Sequence, residues 1–178
     1  MEVAKVFQTG RSQAVRLPKA FRFNGTEVAI KSFGRGVLLM PIDNPWDVIY
    51  LLDTNICIYV INHKPEHVFE RFKQYQLGQL AISSITASEL AFGVEKSGSE
   101  RNKQALNKFL SPLDILPYDE KAIWHYAKLR QDLQSTGKII GSLDMLIAAH
   151  ALALDVVLVT NNIKEFERID GLKLENWV

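Results

Sequence analysis

The sequence predicts a small all-β unit followed by an α/β domain whose sheet is largely parallel. Three observations carry this. Residues 1–42 hold short β-type runs punctuated by Gly and Pro. From residue 49 onward, compact apolar runs of three to four residues alternate with helical patterns, the arrangement that gives parallel strands joined by crossover helices. Between the two lies Pro41-Ile-Asp-Asn-Pro45-Trp-Asp47, rich in turn-forming residues, which places a linker at 43–48 between domains 1–42 and 49–178.

In the first unit, Val3, Val6, Phe7, Ala14, Val15 and Leu17 sit in two short runs broken at Thr9-Gly10. Pro18 ends the second run, and Lys19-Ala-Phe-Arg22 reads as one helical turn. A hairpin follows, from Glu27-Val-Ala-Ile-Lys31 through a turn at Gly34-Arg35-Gly36 to Val37-Leu-Leu-Met40. So short a chain, without cysteine, buries too little surface to fold alone, and dimerisation is expected.

In the second unit, Ile49-Tyr-Leu-Leu52 is a buried-strand run, with helices expected from about Ile56 and from Pro65. Leu80-Ala-Ile82 is a second strand, and Ser83 or Ser84 can cap a helix running to Lys96. Arg101–Leu110 is helical, Asp114-Ile-Leu116 a short strand, and Asp119–Ser135 a helix with Ala122, Tyr126, Leu129 and Leu133 in one stripe. After the loop Gly137–Gly141 come a helix at Ser142–Leu154, a strand at Val156–Val159 and an edge strand near Leu172-Lys-Leu174.

Of the 178 residues 47% are hydrophobic and 23% charged, which suits a packed globular core rather than a disordered or fibrous chain. The single cysteine, Cys57, excludes a disulfide scaffold, and no Cys/His group has zinc spacing. Neither a signal peptide nor a membrane-spanning run is apparent, so a cytoplasmic protein without membrane contact is expected. The formal charge of +1 conceals an uneven distribution. Residues 1–42 carry seven basic against two acidic side chains, net +5, whereas residues 49–178 carry fourteen against sixteen, net −2. A basic head on a mildly acidic body suggests two partners of different chemistry.

Three acids interrupt apolar patterns in the body. Asp53 falls at the carboxyl end of the first strand, where open α/β sheets bind ligands; a helix N-cap is the other role open to it. Asp144 opens a helix apolar nearly all round and shares a face with Ile147, Ala148 and Ala151. A carboxylate so placed becomes neutral unless a cation compensates it. Glu89 has Ile85 and Phe92 as helical neighbours where polar ones are expected. Oxygen donors without thiolate suit Mg²⁺ or Mn²⁺.

The order of residues in both halves resembles known families. Gly10-Arg-Ser-Gln-Ala-Val-Arg-Leu-Pro-Lys19 resembles the AbrB/MazE-like antitoxin domain of the VapB type. That likeness implies a swapped-hairpin dimer binding operator DNA, with Arg11, Ser12, Gln13 and Arg16 near phosphates or base edges. Leu52-Asp-Thr-Asn55, Ser84-Ile-Thr-Ala-Ser-Glu-Leu90 and Gly141-Ser-Leu-Asp144 through Ala151 are similar to PIN-domain ribonucleases. Thr160-Asn-Asn-Ile-Lys-Glu-Phe-Glu-Arg168 and the ending Leu174–Val178 narrow the likeness to enteric VapC toxins.

The PIN resemblance implies a fold of a parallel sheet flanked by helices and an Mg²⁺- or Mn²⁺-dependent endoribonuclease. Asp53, Glu89 and Asp144 would be the metal ligands, and initiator tRNA, cut near the anticodon, the substrate. Where many PIN proteins have a fourth aspartate this chain has Asn162, and Glu165 is the expected replacement. Thr54, Asn55, Ser142, Thr160, Asn161 and Asn162 are supporting candidates, with capping and turn bonds as their alternative. VapB and VapC are normally separate chains. Here the antitoxin part breaks off after Asp47, before the tail that would block the acidic pocket, so a separate VapB antitoxin is a further candidate partner. The competing reading is a DNA-binding autorepressor whose PIN domain is inert or only mediates assembly. A flap-type DNA nuclease is a third, lacking the extra segments such enzymes carry.

Overall fold

The computed structural model describes residues 3–23, 26–33, 36–41, 49–76 and 78–178, and the chain divides into two units, Met1–Pro45 and Trp46–Val178. The expected hairpin turn at Gly34-Arg35 and the linker 43–48 lie outside the described residues.

Two antiparallel hairpins make up the first unit. Strands β1 (Lys5–Thr9) and β2 (Ser12–Arg16) pair from Lys5 opposite Arg16 to Thr9 opposite Ser12. The tight connection Gly10-Arg11 needs a left-handed residue, and Gly10 supplies it at φ +62° without the steric penalty of a side chain. A single 3₁₀ turn, Lys19–Phe21, follows Pro18 as expected. Strands β3 (Val28–Phe33) and β4 (Gly36–Pro41) form the second hairpin, from Val28 opposite Pro41 to Phe33 opposite Gly36. Val6, Phe7, Val15, Phe21, Ile30 and Val37 are all exposed, and the described part of this unit has no fully buried residue.

The second unit is built on five parallel strands in the order β7-β6-β5-β8-β9. These are β5 (Tyr50–Leu52), β6 (Leu80–Ser83), β7 (Asp114–Leu116), β8 (Val157–Val159) and β9 (Lys173–Glu175). Helices α1 (Thr54–Asn62), α2 (Glu66–Phe72), α3 (Ser84–Ser97), α4 (Glu100–Leu110), α5 (Glu120–Ser135), α6 (Ser142–Leu154) and α7 (Ile163–Phe166) connect them. The strands are apolar on both faces because helices cover both. Leu51, Ala81 and Leu158 pack with Leu129, Leu133, Ile147 and Ala151 of α5 and α6. Their strand neighbours Leu52, Ile82 and Val159 pack on the other side with Ile56, Val60, Leu90 and Leu106.

The predicted stripe on α5 is the face it buries: Ala122, Leu129 and Leu133 are buried and Tyr126 half-buried. Asp119 caps that helix by accepting from the backbone N–H groups of Lys121 and Ala122. Among the described residues no helix is long and apolar enough to cross a membrane. Two details differ from the sequence reading. Helix α7 is an added element, too short for a periodic signal and anchored by the fully buried Phe166. Phe92, expected to give Glu89 an apolar setting, is 68% exposed and turns that side of α3 to solvent.

Candidate active site

The strand order reverses beside β5: the chain builds outward through β6 and β7, then returns to the other side with β8 and β9. The crevice at the carboxyl ends of β5 and β8 is therefore the switch point of the sheet. Asp53 follows β5 and is 2% exposed. It caps α1, one of the two roles the sequence left open, and its buried carboxylate stands at the sheet edge where the other, a site residue, would lie. One carboxylate oxygen accepts from the Thr54 backbone N–H at 2.7 Å, opening α1, and the other accepts from the Thr160 hydroxyl at 2.7 Å. Thr160, fully buried at the end of β8, in turn accepts from the Asn162 N–H at 2.9 Å. Burial pushes the Asp53 carboxyl up and Glu89 adds to this, while its two hydrogen bonds pull the other way.

Glu89 stands in the second turn of α3, where it accepts a 2.5 Å hydrogen bond from the Thr54 hydroxyl. Thr54 therefore ties Asp53, its predecessor in the chain, to Glu89. Asp144, half-buried in the first turn of α6, has its carboxyl pushed up to about 6, first by burial and then by Asp53, Glu165 and Glu89. The field of the other three predicted acids is thus felt at this one carboxyl. Glu165, in the first turn of α7, reaches this field through an element that periodicity did not reveal.

Of the supporting candidates, Thr54, Thr160 and the Asn162 backbone bond within the site. Asn161 instead donates its amide to the Tyr59 hydroxyl at 3.1 Å, bracing the loop after β8 against α1. Asn55 and Ser142 are exposed in the first turns of α1 and α6. In the first unit, Arg11 sits in the turn, and strand alternation puts Ser12 and Arg16 on one face of β2 and Gln13 on the other. Arg16 also lies over the Phe7 ring, its guanidinium carbon 5.4 Å from the centroid.

Gly141 was not singled out in the sequence, though it begins the quoted Gly-Ser-Leu-Asp run. A Cβ there would lie 2.9 Å from Asp144 Oδ2, so the missing side chain leaves the room this carboxylate occupies. A groove beside the acids is lined by Thr54, Ile58, Asn62, His63, Glu89 and Arg101.

Among the described residues, no three His, Cys, Asp or Glu side chains stand as a closed metal cage. The donor set still fits a hard divalent cation. Its acids offer carboxylate oxygens, Cys57 is buried, and the burial and neighbouring negative charge that raise Asp144 are what a cation offsets.

Comparison with known proteins agrees with this architecture. The PIN domain profile matches residues 50–172, and the chain belongs to the PIN-domain family. Residues 6–47 match the antidote-toxin recognition domain of MazE, a bacterial antitoxin, so an antitoxin-like unit precedes the PIN domain. Among its relatives, Ribonuclease VapC2 of Rickettsia felis is 48% identical over 132 residues, 73% of this chain and 98% of the relative. The tRNA(fMet)-specific endonuclease VapC of Salmonella typhimurium is 45% identical over 129 residues, 72% of this chain and 97% of the relative. Solved structures that resemble it include VapBC2 from Rickettsia felis bound to a DNA fragment from its promoter, with a TM-score of 0.69 at 47% identity, covering 74% of this chain and all of that one. DNA-bound VapBC from Salmonella typhimurium gives a TM-score of 0.69 at 44% identity, covering 74% and 99%.

Proposed function

We propose that the chain is a VapC-type endoribonuclease dependent on Mg²⁺ or Mn²⁺, joined to the operator-binding part of its antitoxin. The observation that carries this is the joining of Asp53 to Glu89 through Thr54 at the carboxyl end of β5, with Asp144 near enough that Asp53, Glu165 and Glu89 add to the burial that raises its carboxyl to about 6. Burial holds Asp53 and Asp144 where neutral side chains would be cheaper, and Glu89 and Glu165 bring further negative charge to Asp144. The name of the Salmonella relative, tRNA(fMet)-specific endonuclease, supports initiator tRNA as substrate, with cleavage in the anticodon region. Such a substrate places the protein in the cytoplasm.

Asp53, Glu89, Asp144 and Glu165 hold the metal. When bound, the ion supplies a Lewis acid for the scissile phosphate and lowers the pKa of its water. The surrounding side chains orient the acids. Thr160 and the Thr54 N–H fix both oxygens of Asp53, and the Thr54 hydroxyl fixes Glu89. Asn161, braced on Tyr59, and the Asn162 N–H, bonded to Thr160, hold the loop that presents Glu165. Asn55 and Ser142, exposed in the first turns of α1 and α6, orient water or ligand.

The first unit binds operator DNA, a reading supported by its antitoxin-domain match and by the DNA-bound VapBC neighbours, and we assign the contacts to Arg11, Ser12, Gln13 and Arg16. Its exposed apolar side chains are covered by a second copy, with hairpins exchanged, so the protein is at least a dimer. The domains are 1–42 and 49–178. The 43–48 linker between them is too short to wrap the toxin, so nuclease activity is restrained by a separate VapB chain.

The test is RNA cleavage by the full chain with Mg²⁺, Mn²⁺ or EDTA, alongside Asp144→Asn. Cleavage should require metal, and D144N should lower kcat at least about 100-fold while leaving operator affinity unchanged. The missing closed cage among the described residues favours a second reading, an autorepressor with an inert PIN domain. That reading gives operator binding with no cleavage in either metal.

A further inference from the structure

A buried polar pair joins the two helices that carry Glu89 and Asp144. Ser83 ends β6 and caps α3, and His150 lies past the middle of α6; both are fully buried. Ser83 Oγ accepts from the Ile85 N–H at 3.1 Å and lies 2.8 Å from His150 Nδ1. The Tyr118 ring stands edge-on to the imidazole, centroids 5.5 Å apart, and the Tyr118 backbone N–H donates to the Ser84 hydroxyl. Burial disfavours the protonated ring, with Asp119 and the Pro117 carbonyl opposing, so the pair works as a neutral hydrogen bond. It is retained at a cost. His150 Nε2 and the hydroxyl of Thr86, one turn into α3, make no hydrogen bond of normal geometry in the same core. An apolar pair of equal volume would avoid the desolvation of the Ser83 hydroxyl and the imidazole.

What a directional bond adds over an apolar contact is register. Glu89 lies six residues after Ser83 on α3, and Asp144 six residues before His150 on α6. At a rise of 1.5 Å per residue each acid is about 9 Å from the bridge. A rotation of about 10° there moves a carboxylate by about 1.5 Å, and misplacement by about 1 Å can cost roughly 100-fold in rate. We propose that the Ser83–His150 bridge sets the separation of Glu89 and Asp144, which makes His150 a positioning residue of the nuclease site. This rests on the reading that those acids hold the metal.

The experiment titrates Mn²⁺ into the full chain, following the free ion by paramagnetic resonance, and measures kcat, KM for RNA and thermal unfolding. His150→Leu keeps the volume and deletes the bond; Ser83→Ala removes one oxygen; His150→Asn returns a polar atom near Nδ1. H150L and S83A should weaken Mn²⁺ binding about 10- to 100-fold and lower kcat with KM unchanged, and H150N should recover most of that affinity. Wild-type Mn²⁺ affinity in a folded H150L or S83A, or equal affinity in H150L and H150N, overturns the proposal. Because Ser83 also caps α3, S83A does not decide alone; if H150L does not fold, His150→Phe, which keeps a ring and deletes the bond, takes its place. D144N separates the two readings. Loss of Mn²⁺ there with wild-type affinity in S83A overturns the bridge only, whereas wild-type affinity in D144N overturns the metal site and the bridge's purpose with it.

Discussion

Asp144 shows how a single side chain registers its surroundings. Burial first, and then Asp53, Glu165 and Glu89, push its carboxyl from the ordinary 3.8 up to about 6. The native state therefore holds this proton more tightly than the unfolded chain does. The group's contribution to stability is greatest below pH 3.8 and is lost as pH rises through 6. In chelator at pH 7.5, Asp144→Asn should raise Tm by a few degrees, about 1 kcal/mol once partial exposure is allowed for, and the difference should vanish near pH 4. A D144N protein less stable than wild type at pH 7.5 would contradict the repulsion. Gly141 makes the complementary point. Its φ of −53° suits any residue, so space alone explains its role. Gly141→Ala should leave Tm within about 2 °C and push the Asp144 carboxylate aside, lowering kcat roughly 10-fold. Unchanged cleavage by G141A would show that the carboxylate tolerates the move.

The last strand is the element with the longest reach. β9 lines up beside β8, and the Glu175 carbonyl accepts from the Thr160 N–H at 3.0 Å, seating the residue whose hydroxyl holds Asp53. Trp177, 3% exposed, locks the segment. Its indole N–H donates to Glu175 at 3.0 Å, its ring stacks on Tyr75 with centroids 5.1 Å apart, and Arg71 pairs with the same Glu175 oxygen. Burial raises the Tyr75 hydroxyl, consistent with that packed setting. Trp177→Ala should cost about 3 kcal/mol in urea unfolding with an unchanged m-value. A loss under about 1 kcal/mol would mean that the tail is an appendage rather than part of the core.

For the whole molecule, the near-zero net charge sums a head of +5, a linker of −2 and a body of −2. A head of net +5 facing DNA should show operator affinity that falls steeply with salt, because phosphate contacts release counterions. In the full chain, Arg11→Ala should weaken binding and reduce the slope of log K against log salt by about 1 if Arg11 meets a phosphate. An unchanged slope would move that contact elsewhere. Metal-dependent cleavage should be indifferent to this substitution.

Much of the second unit was legible before its structure. Leu51, Leu52, Ala81 and Ile82 announce strands buried on both faces because an unbroken apolar run leaves no face for water, and Ser83 and Asp119 announce helix starts through their capping oxygens. Asp53 and Asp144 stood out because a carboxylate in an apolar pattern has to be explained. The four-residue α7 was not legible, since one turn carries no period, and β9 lies one residue beyond where it was read. By itself the sequence determined the α/β class, the order of elements and which acids break the apolar pattern, since these follow from local composition and spacing. Only the tertiary structure decided that Thr160 holds Asp53 across 107 residues, that Thr54 ties Asp53 to Glu89, and that Ser83 meets His150. Each of these bonds joins residues far apart in the chain, and no local pattern encodes the crossing of strands and helices that brings them within 3 Å.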